Sequence, residues 1–222
     1  MISNPEKTAE EIAVEVGVTK RTIERKLGCC TITVFLRFVH DDYVYCKYYE
    51  TMYILFHTGL RISEFCGLTD KDIDFENMII DVNKQLHRDS KINLMINPAK
   101  TNAGTRKLPM TEDVAKMFMA ILQDRDMPRF DKGVDGYTGF LFYDKKGLPE
   151  VSMHWEHRIK NMKERYNQLF KLQIPALTPH ICRHTYCTNM ARAGMNPKTL
   201  QYLMGAFGHK YHNERIHSSW AR

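Results

Sequence analysis

Between residues 73 and 109 the chain alternates with a period of two in three short runs: Ile79-Ile80-Asp81-Val82, Ile92-Asn93-Leu94-Met95-Ile96 and Arg106-Lys107-Leu108-Pro109. Successive side chains of a strand point to opposite faces, so this rhythm describes strands and not helices. Helical patterns flank it on both sides. The combination predicts an α+β, mainly α-helical fold with a small antiparallel sheet. The last two runs are joined by Lys100-Thr101-Asn102-Ala103-Gly104-Thr105, a turn-forming tip, and so read as a hairpin with Lys100 at its base. A flexible ammonium there can reach a neighbouring groove and neutralise a phosphate or donate a proton. The plainer alternative is a solvated turn lysine.

At 222 residues the chain can bury a normal core, as one domain or as one domain with an appendage. The formal charge of +6 permits nucleic acid as a partner without demanding it. Six cysteines (Cys29, Cys30, Cys46, Cys66, Cys182 and Cys187) form no C-x-x-C pair and read as reduced thiols of an intracellular protein. No basic-then-apolar leader and no run of about 18 apolar residues occurs, so a cytoplasmic location without a membrane is expected.

Residues 8–27 read as helix, turn and helix. Thr8 and Glu11 have the capping-box spacing, Gly17 allows the turn, and Thr19 opens a second helix carrying Lys20, Arg21 and Arg25. TAEEIAVEVGVTKRTIERKL resembles the helix-turn-helix of bacterial regulators, whose second helix enters the major groove and contacts DNA through such residues. An amphipathic hairpin with a solvated basic face is the alternative. Residues 1–30 are therefore treated as one fragment, and the character changes at Thr31. A long helix is expected from Tyr43 to about His57, its aromatics serving as packing material, with Gly59 ending it in a left-handed conformation. Arg61 follows between apolar neighbours. Its stem can be buried while its guanidinium faces a cleft, and Glu64 can hold it; a purely structural Arg–Glu pair is equally compatible. Further helices are expected over 111–125, 152–171, from Pro179 to Gly194, and from Lys198 to Met204, with a short strand at Phe140-Leu141-Phe142. In the third of these, His180 and Arg183 share one face just after a proline suited to the first turn. Imidazole and guanidinium together suit a phosphate oxyanion, although H-x-x-R is also what a solvated helix start can look like. A zinc site built on His180, His184, Cys182 and Cys187 is disfavoured, because the cysteines fall on other faces and no fourth ligand has the spacing. No metal ligand is assigned.

Three stretches in order, TGLRISEFCGLT, AKTNAGTRKLPMT and TPHICRHTYCTNMARAGMNPKTLQYLMG, make residues 31–205 resemble the catalytic domain of tyrosine recombinases, the phage-integrase family, and within it the integrases of conjugative transposons. The resemblance implies that family's catalytic-domain fold and site-specific DNA cleavage and rejoining through a 3′-phosphotyrosyl intermediate. It implies Arg61 and Arg183 as clamps on the scissile phosphate, His180 as hydrogen-bond and proton-transfer group, Lys100 as donor to the leaving 5′ oxygen, and Glu64 as the residue orienting Arg61. Thr101 and Arg106 on the hairpin join the DNA-contact set. Double-stranded DNA is the implied partner, a DNA-bridged homo-oligomer the implied assembly, the bacterial nucleoid the implied place, and no cofactor is needed.

The resemblance stops at Gly205. The family continues Gly-His, then an apolar stretch, then the nucleophile in Tyr-Thr-His; here Ala206 follows, and Tyr211 is the sole tyrosine of residues 206–222, too close to be more than a weak candidate. One encoding of this tail, with a single G removed, reads G-H-S-G-I-S-I-T-M-N-V-Y-T-H-L. An extra base near codons 204–206 is the expectation, leaving a DNA-binding regulator without catalysis as the alternative reading of the chain as written.

Overall fold

A computed structural model describes residues 32–90, 93–98, 105–174 and 176–205. Among these described residues seven α-helices and five short strands are ordered as follows: α1 (32–41), α2 (Tyr49–Thr58), α3 (Ile62–Gly67), β1 (Ile73–Asp74), β2 (Ile79–Val82), β3 (Lys84–Arg88), β4 (Leu94–Pro98), β5 (Arg106–Pro109), α4 (Glu112–Asp124), α5 (Ser152–Leu169), α6 (Pro179–Arg192) and α7 (Pro197–Leu203). The expected mixture of helices with small antiparallel sheets is what forms. The fragment at 1–30, with Lys20, Arg21 and Arg25, lies outside the described residues, as do Lys100, Thr101 and the tail with Tyr211.

Strand pairing differs from the expected hairpin. The 92–96 run, realised as β4, pairs with β3 and not with β5; its register sets Leu86 against Ile96 and Lys84 against Pro98. Asp89 and Asn93 close this connection. The Asn93 amide donates to Asp89 Oδ1 at 2.8 Å, and the Asp89 amide donates to the Asn93 carbonyl at 3.0 Å. A short loop with its own Asx bonds costs little entropy to close, so the local pairing wins. β5 instead returns to β2, giving a second, antiparallel sheet in the order β1-β2-β5 with Ile80 opposite Leu108 and Val82 opposite Arg106. At the start of β3, buried Lys84 reaches Asp72 Oδ1 at 2.6 Å and so ties the two-stranded sheet to the turn before β1.

The helix expected from Tyr43 begins late. Asp42 Oδ1 accepts from the Val44 and Tyr45 amides at 2.8 and 3.1 Å, which diverts the chain into a turn and a 3₁₀ segment, Cys46–Tyr48, before α2 starts. Tyr43 is left exposed, whereas Ile54, Leu55 and Phe56 of α2 are buried. Phe140-Leu141-Phe142 is not a strand; Phe140 makes one isolated bridge to Thr69. All three are packed in or against the core, and one of them, Phe142, meets buried Trp155 of α5 edge-on at 4.9 Å between centroids. Phe65 of α3 and Tyr48 approach the same indole at 5.9 and 5.7 Å. Rings of this size dominate a core energetically, and here they lock α5 against α3.

The starts of α4 and α6 follow their sequence signals. Thr111 Oγ1 accepts from the Val114 amide at 3.4 Å, and Thr178 Oγ1 accepts from the Ile181 amide at 3.3 Å with Pro179 in the first turn. The cap at Thr178 fixes where α6 begins and therefore which residues its first turn presents.

Candidate active site

Gly59 ends α2 at φ +66°, and two residues on, Arg61 stands in extended conformation at the N-cap of α3. Glu64, in the first turn of α3, reaches back to this cap: the Arg61 amide donates to Oε2 at 2.8 Å. The same carboxylate takes Arg61 Nη1 on Oε1 at 2.7 Å, and Arg106 bidentately, Nη1 on Oε1 and Nη2 on Oε2, both at 2.9 Å. Glu64 is 1% exposed. Burial by itself would raise its pKa, but the hydrogen bonds and charge of Arg106, followed by the charge and amide of Arg61, outweigh it and bring the value down to about 2.

Arg106 corrects the sequence reading. Its side chain has no exposed surface, so it cannot belong to a DNA-contact set. It spends its donors on Glu64 and, through Nε at 2.7 Å, on the Leu203 carbonyl at the end of α7. The alternation of β5 explains this: Arg106 shares a face with buried Leu108, while Lys107 points out.

Arg183, one turn into α6, is also buried, and donates from Nη1 to the Gly59 carbonyl and from Nη2 to the Met204 carbonyl. Burial first, and the neighbouring Arg61 second, lower its pKa to about 10; Glu64 pulls in the other direction. It remains a cation at neutral pH. Arg61 Nη2 donates to the Gly205 carbonyl at 3.2 Å. The end of α7 thus rests on all three guanidinium groups through successive carbonyls. Gly205 is needed there: it has φ +55°, and a Cβ would sit 2.9 Å from Arg106 Nη1.

His180 is exposed at the start of α6 and lies against His184, Nε2 to Nε2 at 2.7 Å with the rings nearly perpendicular. One ring must donate and the other accept, so the pair shares one proton between these nitrogens. The two α6 cysteines are turned away, Cys182 into the core, where burial raises its thiol pKa. Arg61, His180 and Arg183 line a single open cleft of about 640 Å³, with Ser63 and Thr178 beside them. Lys160 and Lys163 of α5 line it as well. Neither lysine stood out in the sequence, since a helical i, i+3 pair of lysines looks the same whether it faces solvent or a ligand.

The local geometry makes one substitution informative. A Cβ at Gly59 would lie 2.5 Å from Tyr186 Cδ1, at a φ that L residues rarely adopt. Gly59→Ala is expected to cost about 2–4 kcal/mol, from left-handed strain plus overpacking. Urea denaturation measures it. A loss below about 1 kcal/mol would mean that the ring and backbone relax freely.

Three guanidinium groups around one carboxylate leave a surplus of fixed positive charge facing a cleft, as an oxyanion requires. Comparisons with known proteins agree with this. The family model described as "Phage integrase family" matches residues 31–213. The transposase from transposon Tn916 of Enterococcus faecalis is 45% identical over 172 residues, 77% of this chain and 42% of the relative, so the chain spans less than half the length of that protein. The structure of the Tn1549 transposon integrase in complex with circular intermediate DNA superposes with a TM-score of 0.76 at 38% identity, covering 87% of this chain and 66% of that one. The crystal structure of XerA recombinase, 17% identical with a TM-score of 0.58 over 86% of this chain and 62% of its own, shares the fold. The chain belongs to the phage integrase family of tyrosine recombinases, and its similarity is to the integrases of conjugative transposons.

Proposed function

We propose that this chain is the catalytic part of a site-specific DNA recombinase that integrates and excises a mobile element. In this reading a tyrosine hydroxyl attacks the scissile phosphorus and loses its proton. The bond to the 5′ oxygen breaks, and that oxygen takes up a proton. A 3′-phosphotyrosyl link and a free 5′-hydroxyl result, and reversal on a second strand completes the exchange. Charge grows on the nonbridging oxygens in the transition state, so donors fixed beforehand favour it over the ground state. Arg61 and Arg183 supply them, His180 adds hydrogen bonding and proton transfer, and Lys100 protonates the leaving oxygen. Glu64 keeps Arg61 in place. The observation that carries the proposal is the meeting of Arg61, His180 and Arg183 in one cleft, with Glu64 and Arg106 braced behind Arg61.

Duplex DNA is the proposed partner, and neighbours with this fold are described in complex with transposon DNA. A homo-oligomer assembled on DNA, and contacts from Lys20, Arg21, Arg25 and Thr101, belong to the same proposal. The location follows from the partner: the bacterial cytoplasm, at the nucleoid. Among the described residues no helix is long and apolar enough to cross a membrane.

One observation favours a second reading. Residues 206–222 hold Tyr211 alone, in a sequence that is not Tyr-Thr-His. As written the chain then binds DNA without cutting it, and the extra base near codons 204–206 is what separates it from an active enzyme. The test is a nicked duplex that traps the covalent intermediate. The chain ending in Arg222 should give no band resistant to denaturation, and a chain with the frame restored should give one. Trapping by the unaltered chain would overturn the inactive reading, and failure of the restored chain would count against the extra base.

A further inference from the structure

Part of the lining of the cleft comes from α5. Glu156, Lys160 and Lys163 fall at i, i+4 and i+7 and form one stripe along that helix, which the cleft exposes. Four basic side chains, Arg61, Arg183, Lys160 and Lys163, thus line the cleft with one carboxylate, Glu156. Lys160 is exposed and has only a loose ion pair, 3.9 Å to the exposed Glu164, which contributes little in water. Lys163 is different. It is half-buried, and among the described residues no carboxylate lies within ion-pairing distance of it. A half-buried basic side chain with no acidic neighbour suits a ligand that brings negative charge. The cleft is open, not an enclosed pocket, so the ligand that suits it carries charge along its length.

We infer that Lys163, with Lys160 beside it on α5, binds the DNA phosphates flanking the one held by Arg61 and Arg183. This rests on the DNA reading above and assigns α5 to the lining of that site. A lysine on a flexible stem neutralises phosphate as a point charge, without base information. The contribution is therefore electrostatic, equal for all sequences and weakened by salt.

The test is fluorescence-anisotropy titration of a labelled duplex with the full chain over a series of salt concentrations. The variants are Lys163→Met, which keeps the apolar stem, Lys163→Arg, which keeps the charge, and the double variant Lys160→Met/Lys163→Met, with thermal melting as the folding control. Each removed contact should lower the magnitude of the slope of log K against log salt by about 0.9. The double variant should therefore lose nearly two, and Lys163→Arg should retain the wild-type slope. The loss should be the same on two duplexes of unrelated sequence. An unchanged slope in a double variant that melts normally would overturn the inference while leaving the DNA reading intact. A loss confined to one sequence would also overturn it, by moving Lys163 to base edges. Absence of salt-dependent duplex binding by the wild-type chain would remove both.

Discussion

Glu64→Ala should destabilise the domain by about 3–5 kcal/mol, the cost typical of removing one partner of a buried ionic network. The argument is charge bookkeeping inside the protein. Arg106 has no exposed side-chain surface, and with Glu64 gone it loses both charge-assisted bonds to the carboxylate, which its bond to the neutral Leu203 carbonyl does not replace. Arg61 loses its brace at the same time, and α3 loses the carboxylate that caps its first turn. Urea denaturation measures the loss. Replacing Glu64 and Arg106 together by Leu and Met should recover most of the stability, since well-packed apolar groups can replace a buried pair. It should not recover DNA affinity, because Arg61 stays unbraced. A single variant as stable as wild type would show that the network is not desolvated as the geometry implies.

The same carboxylate sets an acid limit. Its folded pKa, about 2, lies below the ordinary value of 4.5, so ionised Glu64 favours the folded state. The stabilisation is complete above pH 4.5 and is lost as pH falls towards 2, amounting to about 3 kcal/mol at neutral pH. In acid titrations at fixed urea, Glu64→Gln should be flatter than wild type over this window. Parallel curves would assign the acid sensitivity to other carboxylates.

Arg183→Ala in the frame-restored chain should lower the rate of strand cleavage by about 10²–10³-fold, the usual effect of removing one fixed donor from a developing oxyanion. Arg183→Lys tests whether charge alone suffices. A lysine cannot bond the Gly59 and Met204 carbonyls in the same fork, so its activity should stay near that of the alanine variant. The readout is single-turnover cleavage of the nicked duplex, with a melting curve to separate catalytic loss from unfolding. Cleavage by Arg183→Ala within a few-fold of the parent would remove Arg183 from the oxyanion site and leave it as a tie between α2, α6 and α7.

Gly205 and the carbonyls before it make the end of α7 part of this site. Met204 and Gly205 hold Arg183 and Arg61, and Leu203 holds Arg106. The point at which the sequence leaves the family pattern is thus the next residue after the last one that supports the arginines. In the proposed reading, an altered tail can leave this arrangement of arginines standing while withholding the nucleophile.

The sequence by itself determined what depends on neighbours along the chain. The left-handed Gly59, the helix over 111–125 and the proline start of α6 depend on residues close together in the chain, and their signals were legible. So was the link from Arg61 to Glu64, three residues apart, and the three landmarks that carry the family. Arg106 was misread as a DNA contact: its parity with Leu108 was the signal for an inward side chain, but nothing local said that a buried carboxylate awaited it. Tertiary structure alone decided that Glu64 serves two arginines, one of them 42 residues away, and that Gly205 meets Arg61 across 144. It also decided that β4 turns back to β3, and that Lys160 and Lys163 line the same cleft as Arg61 and Arg183. These are contacts between elements distant in the chain. Their free energy comes from packing and from charges sharing one desolvated space, which periodicity along a sequence does not encode.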